Sequence, residues 1–289
     1  MRKESECTMQ YIDLHVHSCC SDGTLTPEEL VDLAIESNLV AFALTDHDTV
    51  DGVAAALAAA RGRNIRVIPG VELSCEHTIS PSRKKEIHIL GYNVDYTQPE
   101  LVETLADIAR ERDSRNRQMC ENLSAAGYPI DYESLTSRFH GTILTRAHFA
   151  RFLMEQGAIP SIDFAFKEIL AQDGPYFVSR RYLTPQSGIE LIKKAGGLPV
   201  LAHPLLYKMS VTELHQLLTE TKACGLRGIE AIYSRNRGND EAFVRKLAQD
   251  FGLFITGGTD FHGANKPDLE IGRGEGNLRV PVMLLENLR

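Results

Sequence analysis

The sequence predicts an α/β protein, a mostly parallel sheet or barrel interrupted by a helical module. Three observations predict it. Apolar runs of strand length alternate with helical segments at both ends of the chain. From about Gln98 to Gly174 the text is helical, with no convincing strand. Histidines and acids recur just where the apolar runs stop.

In order, "YIDLHVHS" reads as the first strand. "TPEELVDLAIESN" is a helix with Thr26 as cap, Pro27 at its first position and acids in its first turn. "LVAFALTD" is almost wholly apolar, as a parallel strand covered on both faces should be. "DGVAAALAAARG" is a helix, and "IRVIPGVELS" and "EIHILGYNV" are strands separated by a polar loop, "EHTISPSRKK". The helical stretch holds one long helix, "PELVETLADIARERDSRNRQMCENLSAAG", and two shorter ones, "TRAHFARFLMEQG" and "IDFAFKEILAQDG". Alternation then resumes. "YFVSR", "LPVLAHP", "LRGIEAIYS" and "LFITGGTD" read as strands, with helices at "TPQSGIELIKKAGG", "SVTELHQLLTETKACG" and "NDEAFVRKLAQDFG" between them. The expected units are therefore a discontinuous barrel, 1–97 and 175–289, and a helical insertion, 98–174, forming a cap over the substrate.

The 289 residues carry a formal charge of -8, which argues against a broad basic footprint for duplex DNA. Six cysteines without a CxxC pair read as free thiols, not a disulfide framework. The start "MRKESECTMQ" has no apolar signal segment and no run is long enough to span a bilayer, so a cytoplasmic protein without a membrane partner is expected.

The chemistry lies at the strand ends. In parallel α/β folds these ends face one mouth, where sites are built. Here they carry His15, His17 and Asp22, then Asp46, His47 and Asp48, then Glu72, His88, His203, and finally Asp260 and His262. Six of the ten histidines fall there. His15 and His17 have strand periodicity and share a face, as do Asp260 and His262. One His-x-His is weak evidence, and Asp48 alone reads as a cap for the helix that follows it. The recurrence is harder to dismiss, because burying so many ionisable groups without cations is costly. Imidazoles and carboxylates suit two or three divalent ions, manganese foremost, with iron or zinc also admissible.

"DLHVHSCCSDG", "TDHD", "PGVE", "HILGY", "LAHP" and "GTDFH", in this order, resemble the motifs of the polymerase and histidinol phosphatase (PHP) superfamily. Within it the chain most resembles the TrpH/YciV-like branch. The resemblance implies a distorted (β/α)7 barrel of PHP type. It implies three metal positions: His15, His17, Glu72 and Asp260; Glu72, His88 and His203, with Glu72 bridging; and Asp22, His47 and His262. It further implies hydrolysis of the 3'-phosphate of a nucleoside 3',5'-bisphosphate to the 5'-monophosphate by metal-bound hydroxide. Substrate contacts would come from Asp22, from Asp113, Ser114, Arg115 and Asn116, and from His148. Arg115 would hold the distal phosphate, and His148 would bind phosphate or donate a proton.

Clustered arginines in "RERDSRNRQM" support a phosphate seat, since a guanidinium fork matches phosphate geometry; Arg112 and Arg115 share a helical face. Arg146, Lys208 and Arg235 are weaker candidates. The bland reading is a solvated face, because Glu111 and Asp113 alternate with the arginines. Cys19 or Cys20 as a stray soft ligand also stays open. Competing functions are stepwise 5'-to-3' cleavage of short RNA, histidinol-phosphate hydrolysis, an amidohydrolase attacking carbon, and a noncatalytic nucleotide-binding module. No obligate protein partner is indicated.

Overall fold

The computed structural model describes residues 10–171 and 174–289. The N-terminal stretch read as lacking a signal segment, and residues 172–173 of the expected helix over 162–174, lie outside the described residues. Strand β1 is Tyr11–Val16, followed by α1 (Pro27–Glu36), β2 (Leu39–Leu44), α2 (Val53–Ala60), β3 (Arg66–Ser80) and β4 (Arg83–Tyr92). Helices α3 (Pro99–Ala125), α4 (Tyr132–Arg138), α5 (Arg146–Glu155) and the short α6 (Ile162–Phe164) come next, the last running into a π-turn at Ala165–Ile169. The remainder is α7 (Pro185–Lys194), β5 (Leu198–Leu201), α8 (Val211–Cys224), β6 (Gly228–Tyr233), α9 (Asp240–Phe251), β7 (Phe254–Gly258) and β8 (Val280–Pro281).

The strands form one sheet in the order β7-β6-β5-β4-β3-β2-β1-β8. It curls until its ends nearly meet. His17 N donates to Phe261 O at 3.0 Å and Phe261 N to His15 O at 3.3 Å, lacing the two ends of the chain together. The expected distorted barrel is thus present. Gly258 sits at this seam, where a Cβ would lie 2.4 Å from His15 Cβ, so only glycine lets the strands approach.

Patterning explains the layers. Phe42 and Leu44 join Leu30, Val31 and Leu217 in a cluster between strands and helices. Ile12, Ala41, Ala43, Ile68, Leu90 and Val200 form a second cluster, fed almost wholly by strands, inside the curled sheet. The helices between β4 and β5 have a third core of their own, including Met119, Leu123, Phe149 and Leu153. Thr26 closes α1 as expected: its Oγ accepts from Glu29 N at 3.2 Å, and Glu29 Oε2 accepts from Thr26 N at 2.8 Å, worth about 1 kcal/mol.

Several expectations are corrected. "EHTISPSRKK" is no loop: β3 and β4 run through it as a long antiparallel hairpin, with Ser80 opposite Arg83. Its turn lacks the Asn-Gly or Asp-Gly signal that marks a short hairpin in sequence. "YFVSR" forms no strand, and that segment meets the sheet only through an isolated Cys75–Leu183 bridge. Helix α4 and the two-residue β8 were not expected; both are too short for periodicity to register.

Candidate metal centre

The strand ends converge as the pattern predicts. Glu72, on β3 and fully buried, lies at the middle. Its Oε2 is 3.2 Å from His15 Nε2, 3.3 Å from His17 Nε2 and 3.1 Å from His47 Nδ1. Its Oε1 is 2.9 Å from both His88 Nδ1 and His203 Nε2. One carboxylate therefore presents one oxygen to three imidazoles and the other to two more, the arrangement a bridging ligand needs. Asp260 Oδ1 lies 3.4 Å from His17 Nε2 and 3.7 Å from His15 Nε2. Asp22 Oδ1 is 3.1 Å from His262 Nε2 and 3.9 Å from both His17 Nδ1 and His47 Nε2.

Four overlapping groups have donor atoms close enough to share an ion: His17–Asp22–His47–His262, His15–His17–Asp260, His15–Glu72–His203 and His47–Glu72–His88. All nine expected ligands take part. The overlaps differ from the expected partition, since His17 joins the Asp22 group and His47 the Glu72–His88 group.

The donor set fits divalent cations. Of the buried side-chain polar atoms without a hydrogen-bond partner among the described residues, over half belong to these residues: His15 Nε2, both His17 nitrogens, Asp22 Oδ1, His47 Nδ1, Glu72 Oε2 and His203 Nδ1. Such atoms are rare in native interiors and call for an ion or water. Burial opposes charge on His17, but the neighbouring Asp260 and Glu72 carboxylates outweigh it and raise its pKa to about 9. Burial likewise opposes charge on His88, and Glu72 overcomes it, to about 10. His47 goes the other way, lowered by burial to about 3. At His17 and His88 the carboxylates thus favour positive charge, of the kind a bound cation supplies.

Outer contacts fix these donors, and most of them were missed in sequence. Glu230 Oε1 is 3.0 Å from His15 Nδ1, which turns His15 Nε2 toward Glu72. Glu230 Oε2 accepts from His203 N at 2.8 Å. Tyr233 and Lys266 donate to Asp260 Oδ2 at 2.8 and 2.6 Å, leaving Oδ1 for the histidines. A lone acid in the apolar strand "GIEAIY" was the available signal. Asp46, placed among the strand-end acids, is instead a scaffold: it accepts from Ser18 N, Ser18 Oγ and Ser21 Oγ at 2.7, 2.6 and 2.6 Å and folds the loop that carries Asp22. Asp48, His203 and Asp260 have positive φ (53°, 22° and 56°), backbone strain of about 1–3 kcal/mol each at sites fixed by their surroundings.

Asp48 is no helix cap. Its Oδ2 accepts from Arg112 Nε at 3.0 Å and Arg180 Nη2 at 3.2 Å, and its Oδ1 accepts from Ser74 N at 2.8 Å. Arg146 pairs with Glu86 at 2.9 Å. Arg115 is buried in the same cluster, and its Nε and Nη2 have no partner. Burial, and then Arg112, lower its pKa to about 9. Four guanidiniums thus share two carboxylates, leaving two positive charges uncompensated. Arg112 and Arg115 face inward, whereas Arg110 and Arg117 are exposed and paired with Asp107 and Asp113.

A cavity of about 680 Å³ opens onto this assembly. Its wall includes Asp22, His47, His88 and His262 from the cluster, with Arg112, Arg146, Thr145 and Arg235. Other expected contacts lie elsewhere, Arg115 among them: it is buried and off the cavity wall. Ser114 is exposed, Asp113 is taken by Arg117 at 3.0 Å, and Asn116 Nδ2 donates to Leu144 O at 3.1 Å. His148 is off the cavity wall; burial lowers its pKa to about 4, and its Nδ1 accepts from Thr145 N at 2.9 Å. Thr145 in turn donates to Asp22 Oδ2 at 3.1 Å. Lys208 is exposed and away from the cavity. Cys19 and Cys20 join no donor group; burial, with Asp46, pushes the Cys20 thiol up to about 12, so it stays protonated.

A family model described as "PHP domain" matches residues 13–171. The chain is 34% identical over 271 residues to a 3',5'-nucleoside bisphosphate phosphatase of Chromobacterium violaceum, covering 92% of each. It is 36% identical over 267 residues to the 5'-3' exoribonuclease Rnm of Escherichia coli, covering 90% of this chain and 88% of the relative. A solved structure of an amidohydrolase from Chromobacterium violaceum, with bound sulfate and no metal, superimposes with TM-score 0.82 at 35% identity, covering 91% of this chain and 90% of the other.

Proposed function

This chain belongs to the PHP-domain family of metal-dependent phosphoesterases, and from that premise we propose that it hydrolyses the ester at the 3'-oxygen of a 5'-phosphorylated nucleotide. One observation supports the reading most: four guanidiniums against two carboxylates stand beside the donor cluster, Arg112 and Arg146 on the cavity wall and Arg115 and Arg180 buried off it. That excess matches a phosphate monoester dianion. The 5'-phosphate is held by Arg112 and Arg146, with the positive charge of buried Arg115 beside them, and the 3'-ester faces Asp22, His47, His88 and His262.

Two substrates present both groups. A nucleoside 3',5'-bisphosphate is the smaller, losing its 3'-phosphate. A 5'-phosphorylated RNA end is the larger, releasing a 5'-mononucleotide. The name of the Escherichia coli relative and a cavity large enough for more than a bare bisphosphate support the RNA end as the better substrate, with the bisphosphate as a minimal one.

Divalent ions, which the nine donors would hold, supply neutralisation of phosphoryl oxygens and activation of water. The chain's own part is orientation. Glu230, Tyr233 and Lys266 aim the donors, Thr145 aims Asp22, and the arginines fix the phosphate that is not cleaved, so that the reacting ester is positioned by the distal anion. Asp48 holds Arg112 and Arg180 in register.

The test is turnover by the metal-replete protein of adenosine 3',5'-bisphosphate, and of a short RNA with and without its 5'-phosphate, with products identified. We expect AMP and phosphate from the first. The phosphorylated RNA should release 5'-mononucleotides at least about tenfold faster than the unphosphorylated one, and Arg115→Met should erase that preference. Equal rates on both RNAs, or faster hydrolysis of histidinol phosphate, would reject the reading.

A further inference from the structure

The cavity has a second wall that neither the donor cluster nor the arginines explain. Met154 from α5, Ile162 from α6 and Phe166 from the π-turn line it, together with Ala264 and Pro267. Met154 and Phe166 are each 38% exposed, and neighbouring Phe164 is 39% exposed. Only a handful of large apolar side chains are so exposed among the described residues, and two of them, Met154 and Phe166, line this cavity. An apolar surface kept in water at the mouth of a charged site marks a ligand contact.

The polar groups around this ledge are already engaged. Ser161 Oγ accepts from Phe164 N at 3.1 Å, and Lys167 pairs with Asp163 at 3.3 Å. Arg235 holds Asp268 at 2.6 Å. Asn265 donates to Asp22 O at 2.7 Å and accepts from Arg151 at 3.2 Å. The ledge therefore offers a flat apolar face and few free groups to read a hydrogen-bonding edge.

We propose that Phe166, in the cavity it lines with Met154, Ile162 and Pro267, seats a nucleobase by stacking, without selecting which base. This deepens the reading of the substrate as a nucleotide and rests on it. A face that every base can cover suits an enzyme that must accept successive bases from a single strand.

The chain contains no tryptophan, so Phe166→Trp introduces a sole indole reporter. In the metal-replete variant, AMP and UMP should both quench its fluorescence, while ribose 5-phosphate should not. In Phe166→Ala, KM for adenosine 3',5'-bisphosphate should rise about tenfold with kcat little changed, while KM for the base-free ribose 3,5-bisphosphate stays the same. Phe166→Trp should restore the first KM. Quenching by nucleotides without 3'-ester hydrolysis would keep the seat and remove the reaction. Hydrolysis with no quenching, and with KM unchanged in Phe166→Ala, would keep the reaction and remove the seat. A KM rise shared equally by the base-free substrate would also overturn it.

Discussion

At the scale of residues, the centre depends on charges that touch no substrate. Glu230 is buried in a strand, yet it faces His15 Nδ1 at 3.0 Å and thereby decides which nitrogen points into the cluster. Glu230→Gln keeps the volume and loses the anion. Metal affinity should fall about 10–100-fold, read as ion content per chain after equilibrium dialysis. Full occupancy at wild-type metal concentrations would show that His15 needs no such partner. Arg115 is the opposite case, a buried cation left without a counter-ion in its own chain. Such a group is expensive unless a ligand completes it. That the nine donors were legible in sequence and Glu230 was not has a simple cause. Seven of the nine sit near or beyond strand ends, where an ionisable residue interrupts an apolar run, and Glu72 and His88 lie within β3 and β4; Glu230 is a lone acid inside β6 and reads as an anomaly.

At the scale of elements, one buried carboxylate ties the arginine face of α3 to the barrel, beyond the packing of Leu101, Leu105 and Ile108 into the core. Asp48 lies just after β2 and binds Arg112 on α3, Arg180 on the segment before α7, and Ser74 N on β3. Burial disfavours its charge, but Arg112 and Arg180 outweigh that and hold its pKa below the usual aspartate value. A depressed carboxylate contributes stability that is complete above its unfolded pKa of about 3.9 and is lost as pH falls through its folded value. Acid unfolding followed by circular dichroism should therefore be flatter below about pH 4 in Asp48→Asn than in the wild type, and the variant should be less stable at pH 7. Parallel acid profiles would mean that Asp48 does not carry this linkage. The sequence showed α3 and a face shared by Arg112 and Arg115, but not that this face turns inward. It did not show that Asp48 would meet them, because that pairing spans 64 positions.

At the scale of the whole molecule, the donors come from β1, β3 and β4 and from the loops after β1, β2, β5 and β7, so ions held there would tie both edges of the sheet at the seam. A ligand that binds only the folded state stabilises it by mass action, about 2.7 kcal/mol at a hundredfold excess over Kd. Chelation should lower the unfolding temperature by about 5 °C or more, reversibly on adding manganese, in differential scanning calorimetry. A melting curve indifferent to chelator would count against a closed cluster. Among the described residues no helix is long and apolar enough to cross a membrane.

The sequence by itself determined the alternation of strands and helices, the helical stretch between β4 and β5, and the identity of the nine donors. These are properties of local periodicity and of polar residues placed where apolar runs end. Tertiary structure alone decided the hairpin that β3 and β4 make through a polar stretch, the overlap of donor groups around Glu72, the roles of Glu230, Asp46 and Asp48, and which arginines turn inward. Each of those depends on side chains far apart in the chain meeting in one low-dielectric space, where their charges must be balanced together.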